Sequence, residues 1–181
     1  MTTYWSRISI LASLAIAGCH SAGPYGYSRV YSPLDAEEDA AEASRELDPV
    51  MVQRAPEEWK RQKISLFGVV KGRKEAPGGG AFLTLSMRTL AQRNLCDAPD
   101  EDTCRVTVGE REHVIVHVVA KLSGEDDIGK RSVAPGSLVR VIGQLADDVG
   151  PDGAPVLSAS YLRHWPRAEY VTMSDSEHMR R

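Results

Sequence analysis

Two histidines, His113 and His117, lie four residues apart in "REHVIVHVVAKL" (Arg111 to Leu122) and raise the question of a metal. The stretch alternates, with Val114, Val116, Val118, Ala120 and Leu122 on one side, as a strand with one buried face does. Four residues along a strand span roughly 13 Å at ~3.3 Å per residue. Two imidazoles that far apart cannot share one ion without a further element, so neither a metal nor another cofactor is expected. What the pattern leaves is a polar face. "AFLTLSMRTL" (Ala81 to Leu90) sets Ala81, Leu83, Leu85 and Met87 inward and Thr84, Ser86 and Arg88 outward. Beside them the third strand would show His113, His117 and Lys121. These six residues are the candidate binding face, to be weighed against a plain solvated surface.

Residues for covalent chemistry are not arranged for it. No serine stands in a nucleophile elbow. The carboxylate runs "DAPDED" and "GEDD" read as solvated loop charge, and "GEDD" lacks the ligand spacing of an EF-hand. No catalytic residue is nominated, and the chain is not expected to be an enzyme. "LRHWPRAEYV" (Leu162 to Val171) mixes arginines, a histidine and aromatics, and reads as packing against the domain, with ligand recognition as the alternative. From residue 57 onward there are 18 basic and 18 acidic side chains. A neutral domain lacks the positive field that draws nucleic acid.

Five apolar, β-branched segments between Gly and Pro punctuation position these residues. They are Lys63 to Arg73, Ala81 to Leu90, Arg111 to Leu122, Ser137 to Leu145, and Val156 to His164. The expected fold class is all-β, as a small five-stranded barrel, since closure removes unpaired edges. A seven-stranded sandwich is the competing architecture. "VAPGSLVRVIGQL" is similar to the entry into strand four of OB-fold proteins. "LFGVVKGR", with Gly68, resembles their first strand, and "PVLSASYLRHW" their closing one. The resemblance covers Ile64 to Trp165 and implies an OB-like barrel, a fold that often binds oligonucleotides or oligosaccharides across strands two and three. The helix usual between strands three and four is short or missing here, so the barrel bottom must be plugged otherwise.

The N-terminal segment carries a location. Ile8 to Ala17 is a nearly continuous apolar run. Ten residues at about 1.5 Å each cover half of a ~30 Å hydrocarbon core, which suits a signal peptide and not a transmembrane helix. Ile16-Ala17-Gly18-Cys19 resembles a bacterial lipobox. The resemblance implies diacylation of the Cys19 thiol and cleavage before it, and two acyl chains anchor stably where one does not. His20 in place of Asp points, by analogy with the enteric sorting rule, to the outer membrane, at its periplasmic face or the cell surface. Removing Cys19 leaves one pair, Cys96 and Cys104, which export would oxidise to a structural disulfide.

The expected organisation is a lipoprotein signal peptide at 1–18 and a lipidated, flexible tether at 19–56. The tether carries three basic against seven acidic residues between His20 and Pro56. The OB-like domain follows at 57–172 and a disordered tail at 173–181. The expected function is a lipid-anchored envelope binding or scaffold protein without catalytic activity. Its partners would be the membrane, through the anchor, and an envelope protein or a glycan. Extracytoplasmic binding of single-stranded nucleic acid is the alternative. Cys19→Ala should abolish acylation and move the protein from the detergent to the aqueous phase on phase partitioning; unchanged partitioning would refute the anchor.

Overall fold

A computed structural model of the chain describes residues 33–76, 79–94 and 106–174. Cys19, Cys96 and Cys104 lie outside the described residues, as do the expected signal peptide, the first part of the expected tether and residues 175–181. Among the described residues no helix is long and apolar enough to cross a membrane.

The fold is sheet-rich with few helices. Its long strands are β2 (Ile64–Glu75), β3 (Ala81–Arg88), β6 (Ile115–Ala120), β7 (Leu138–Val149) and β8 (Pro155–Trp165). All five overlap the segments expected from the alternation. The third is shorter than expected, so His113 falls off its end. β2 pairs antiparallel with β3 and with β7, β3 with β6, and β7 with β8, while β6 runs parallel to β8. Each long strand thus has a hydrogen-bonded neighbour on both sides. The β7–β8 register slips at Gly143, opposite Ala159. A Cβ on Gly143 would lie 2.0 Å from the Ser158 carbonyl oxygen, so only glycine lets the two backbones approach there.

Alternation decides what each face meets. Leu83, Leu85, Val116, Val118, Val139 and Val141 are fully buried in the main apolar cluster. Phe67 and Leu138 point the other way, into a second cluster with Trp165, Val106 and Val108. That cluster is roofed by a small sheet of β4 (Leu90–Asn94), β5 (Val106–Val108) and β9 (Tyr170–Thr172). β2 and β7 are therefore apolar on both faces. "LRHWPRAEYV" supplies part of this roof: Trp165 lies 6.2 Å from Phe67, ring centre to ring centre, and the Tyr170 hydroxyl donates to the Gly136 carbonyl at 3.0 Å.

Residues 33–56 are not a flexible tether. They form α1 (Asp35–Ala41), the two-residue β1 (Arg45–Glu46) paired parallel to β2, and α2 (Pro49–Arg54), followed by α3 (Pro56–Lys60). Asp48 caps α2 by accepting from the Val50 and Met51 N–H groups, with Pro49 in the first turn. Leu47, Val52 and Trp59 enter the main cluster. Leu47 and Val52, the two of these within 33–56, make no helical stripe, which is why that stretch reads as a spacer. Between β6 and β7 there is only a 3-10 turn, Gly124–Asp126, as expected. Val133 from this connection reaches the main cluster, and Arg73 ties it down by donating to the carbonyls of Asp127 (3.0 Å) and Val133 (3.1 Å).

Trp59 is 0% exposed, with the Arg45 guanidinium 4.5 Å from its ring centre. Trp59→Ala should cost about 3–5 kcal/mol in urea unfolding. A loss below about 1 kcal/mol would show that the helical segment does not belong to the cooperative core.

Candidate functional site

The outer face of β3 and β6 carries Thr84 opposite His117 and Phe82 opposite Val119. The structure covers this face more than alternation predicts. Ser86, expected outward and solvated, is fully buried, because the segment before β6 folds back over it. The His113 N–H donates to the Met87 carbonyl at 3.1 Å and the Met87 N–H to the Val114 carbonyl at 2.9 Å. That places Glu112 above the strand, where its Oε2 accepts from the Ser86 hydroxyl at 2.5 Å. The same carboxylate faces Lys71 at 3.4 Å and Arg88 at 4.0 Å. The Ser86 hydrogen bond, then the nearby ammonium and guanidinium, hold the Glu112 carboxyl below the ordinary range.

His117 is likewise no half-solvated strand residue: it is 4% exposed. Its ring stacks on Phe82 with centres 5.0 Å apart. Nε2 donates to Asp152 Oδ1 at 2.7 Å, and Nδ1 lies 3.2 Å from the Thr84 hydroxyl, which can donate or accept. The hydrogen bond from His117, then the Ala154 N–H, hold Asp152 below the ordinary carboxylate range. Asp152 arrives on the β7–β8 turn, whose Gly150 lies against the imidazole. A Cβ on Gly150 would stand 2.1 Å from His117 Cδ2. The residue that seats the turn is thus a glycine in "DDVGPDGAP", a signal that reads from sequence only as a bend.

Of the six expected residues, Thr84, Ser86, Arg88 and His117 share this face. His113 is exposed beyond the strand end. Lys121, also exposed, sits past β6 in a shallow groove beside Gly79 and Ser158–Leu162, where β6 and β8 have ceased to pair. Sequence reading missed Phe82, Glu112 and Asp152. Phe82 alternates with the core residues and could have been assigned; the two carboxylates come from connections.

"GEDD" is not plain solvated charge either. Asp127 pairs with Arg73, and Asp126 Oδ1 lies 3.0 Å from His164 Nδ1. His164 Nε2 is in turn 3.1 Å from the Ser137 hydroxyl. The order Asp, His, Ser matches the spacing of a nucleophilic relay. Ser137, however, is 2% exposed and its Oγ already accepts from the Ala134 N–H at 3.2 Å. The trio binds the β6–β7 connection to β8. Among the described residues, no group of three His, Cys, Asp or Glu is placed to hold a metal.

No family model matches the chain, and no curated protein is similar to it. Among solved structures it is similar to the protein PriB from Ralstonia solanacearum, at 20% identity over 56% of this chain and 95% of that one, with a TM-score of 0.29. A likeness of that size decides neither fold nor ligand.

The arrangement makes an acid-side prediction. A carboxyl whose value is lowered by folding adds stability above its unfolded value and loses it as pH falls through the folded one. Ser86→Ala should therefore raise the Glu112 midpoint toward the ordinary range in an NMR pH titration of its side-chain carbonyl. An unmoved midpoint would show that the hydroxyl is not the main cause.

Proposed function

We propose that this chain is a lipid-anchored protein of the bacterial envelope whose domain is an OB-like barrel serving as a non-catalytic binding module, with a glycan as its ligand. The barrel reading is supported by the strand circuit: five long strands, each paired on both sides, with the third and fifth running parallel. The lipobox-like Ile16-Ala17-Gly18-Cys19 supports the anchor.

The observation that carries the ligand class is charge compensation on the β3–β6 face. Lys71 and Arg88 face Glu112, and His117 donates to Asp152. A phosphate chain needs a run of uncompensated cations, whereas at the centre of this face Lys71, Arg88 and His117 are each set against a carboxylate. Ionised carboxylates about half exposed, beside a half-buried Phe82 ring and the Thr84 hydroxyl, suit a neutral polyhydroxyl ligand. Carboxylates accept from sugar hydroxyls, and such interfaces work wet. A protein partner with a polar surface is the neighbouring possibility, and single-stranded nucleic acid the opposed one.

Titration of the 15N-labelled protein with cell-wall oligosaccharides should shift the amides of Thr84, His117 and Asp152, and Asp152→Asn should weaken the shifts about tenfold. Single-stranded DNA at physiological salt should leave them in place. Salt-sensitive DNA binding without any response to saccharides would replace this reading with the nucleic-acid one.

A further inference from the structure

On the opposite flank of the strand circuit, Arg140 of β7 and Arg163 of β8 are directly cross-strand. Like charges opposite one another weaken a sheet, so the pair calls for an anion. It has one: Glu37, 0% exposed, the one buried side chain of α1. Its carboxylate accepts from Arg140 Nη1, from Arg163 Nη1 at 2.7 Å and from the Leu34 N–H at 3.2 Å. The two guanidinium groups are braced from beneath by aromatic rings. Arg140 stands 5.3 Å from the ring centre of Phe67, its cross-strand neighbour on β2, and Arg163 stands 4.6 Å from that of Trp165. Two preorganised forks aimed at one point are a carboxylate receptor.

α1 is a poor permanent stopper for it. The helix has seven residues, DAEEDAA, with three acidic side chains in its first turn and no apolar side chain buried. Its link to β1 passes through Ala43, held at φ +56° in the left-handed region that alanine disfavours. Elements held by little apolar area and a strained link open at low cost.

We propose that Arg140 and Arg163 form a receptor for an acidic helical segment of a partner protein, occupied in cis by Glu37 until that segment displaces α1. The helix α1 is the template for such a ligand. A tethered occupant acts at an effective concentration on the order of mM, so it masks the site from weaker ligands and yields to a better one. This site is separate from the β3–β6 face and stands or falls independently of the glycan reading.

The probe is a fluorescent peptide of residues 33–43, PLDAEEDAAEA, read by anisotropy against the full chain. Glu37→Ala should bind it at least tenfold more tightly than the unaltered protein does. Adding Arg163→Ala to that variant, or replacing Glu37 by Gln in the peptide, should abolish the gain. Should Glu37→Ala not fold, Glu37→Gln, which keeps the shape and removes the charge, is read the same way. A folded variant without tighter binding overturns the proposal. So does failure of both variants to fold, since the clamp would then be indispensable and not displaceable. Tighter capture of an oligothymidylate than of the peptide overturns it in favour of a phosphate ligand.

Discussion

The pairing of Ile64 to Val69 with Leu138 to Gly143 is the contact on which the rest of the molecule depends. It joins the first long strand to the fourth across about seventy residues of chain. Closing so long a loop is entropically costly, and only extensive burial offsets it. Here burial comes from both faces. Ile64, Leu66, Val139 and Val141 fill the main cluster, while Phe67 and Leu138 fill the second. Removing either layer would leave one apolar face of this ribbon in water. The small sheet and "LRHWPRAEYV" are thus part of what keeps the strand circuit together.

The same pairing explains where the charges on this flank lie. Register sets Phe67 beside Arg140 and Arg140 beside Arg163, so a guanidinium pair is built wherever these strands meet correctly. The Glu37 carboxylate then answers a problem created by the strand register. On the far side of the circuit the logic is similar but the anions are different. Glu112 and Asp152 are brought by connections over polar side chains of β3 and β6, and the face becomes charge-compensated. Two flanks of one small sheet structure thus differ in exposure: the carboxylates are about half exposed on one, while on the other a buried carboxylate lies between two arginines.

Connections in this chain do more than link strands. The β7–β8 turn can deliver Asp152 to His117 only because Gly150 leaves room for the imidazole. The β6–β7 connection, lacking a helix, is held by Arg73 from one side and by His164 from the other. Tyr161 on β8 has its hydroxyl pushed above the ordinary range by burial, then by the Glu37 charge.

Alternation alone determined the strand positions and the inward sets, because a half-buried strand must repeat every two residues. Ala81, Leu83, Leu85 and Met87 are all buried on that account. Local punctuation likewise settled the absence of a long helix after β6. Tertiary structure decided the rest. Ser86 and His117 alternate as outward residues, yet are buried, since alternation says which way a side chain points and not what lands on it. Residues 33–56 look like a spacer because their few anchoring groups, Glu37, Leu47 and Val52, follow no period. Each meets a partner remote in the chain, and a carboxylate with two distant arginines leaves no local pattern to read.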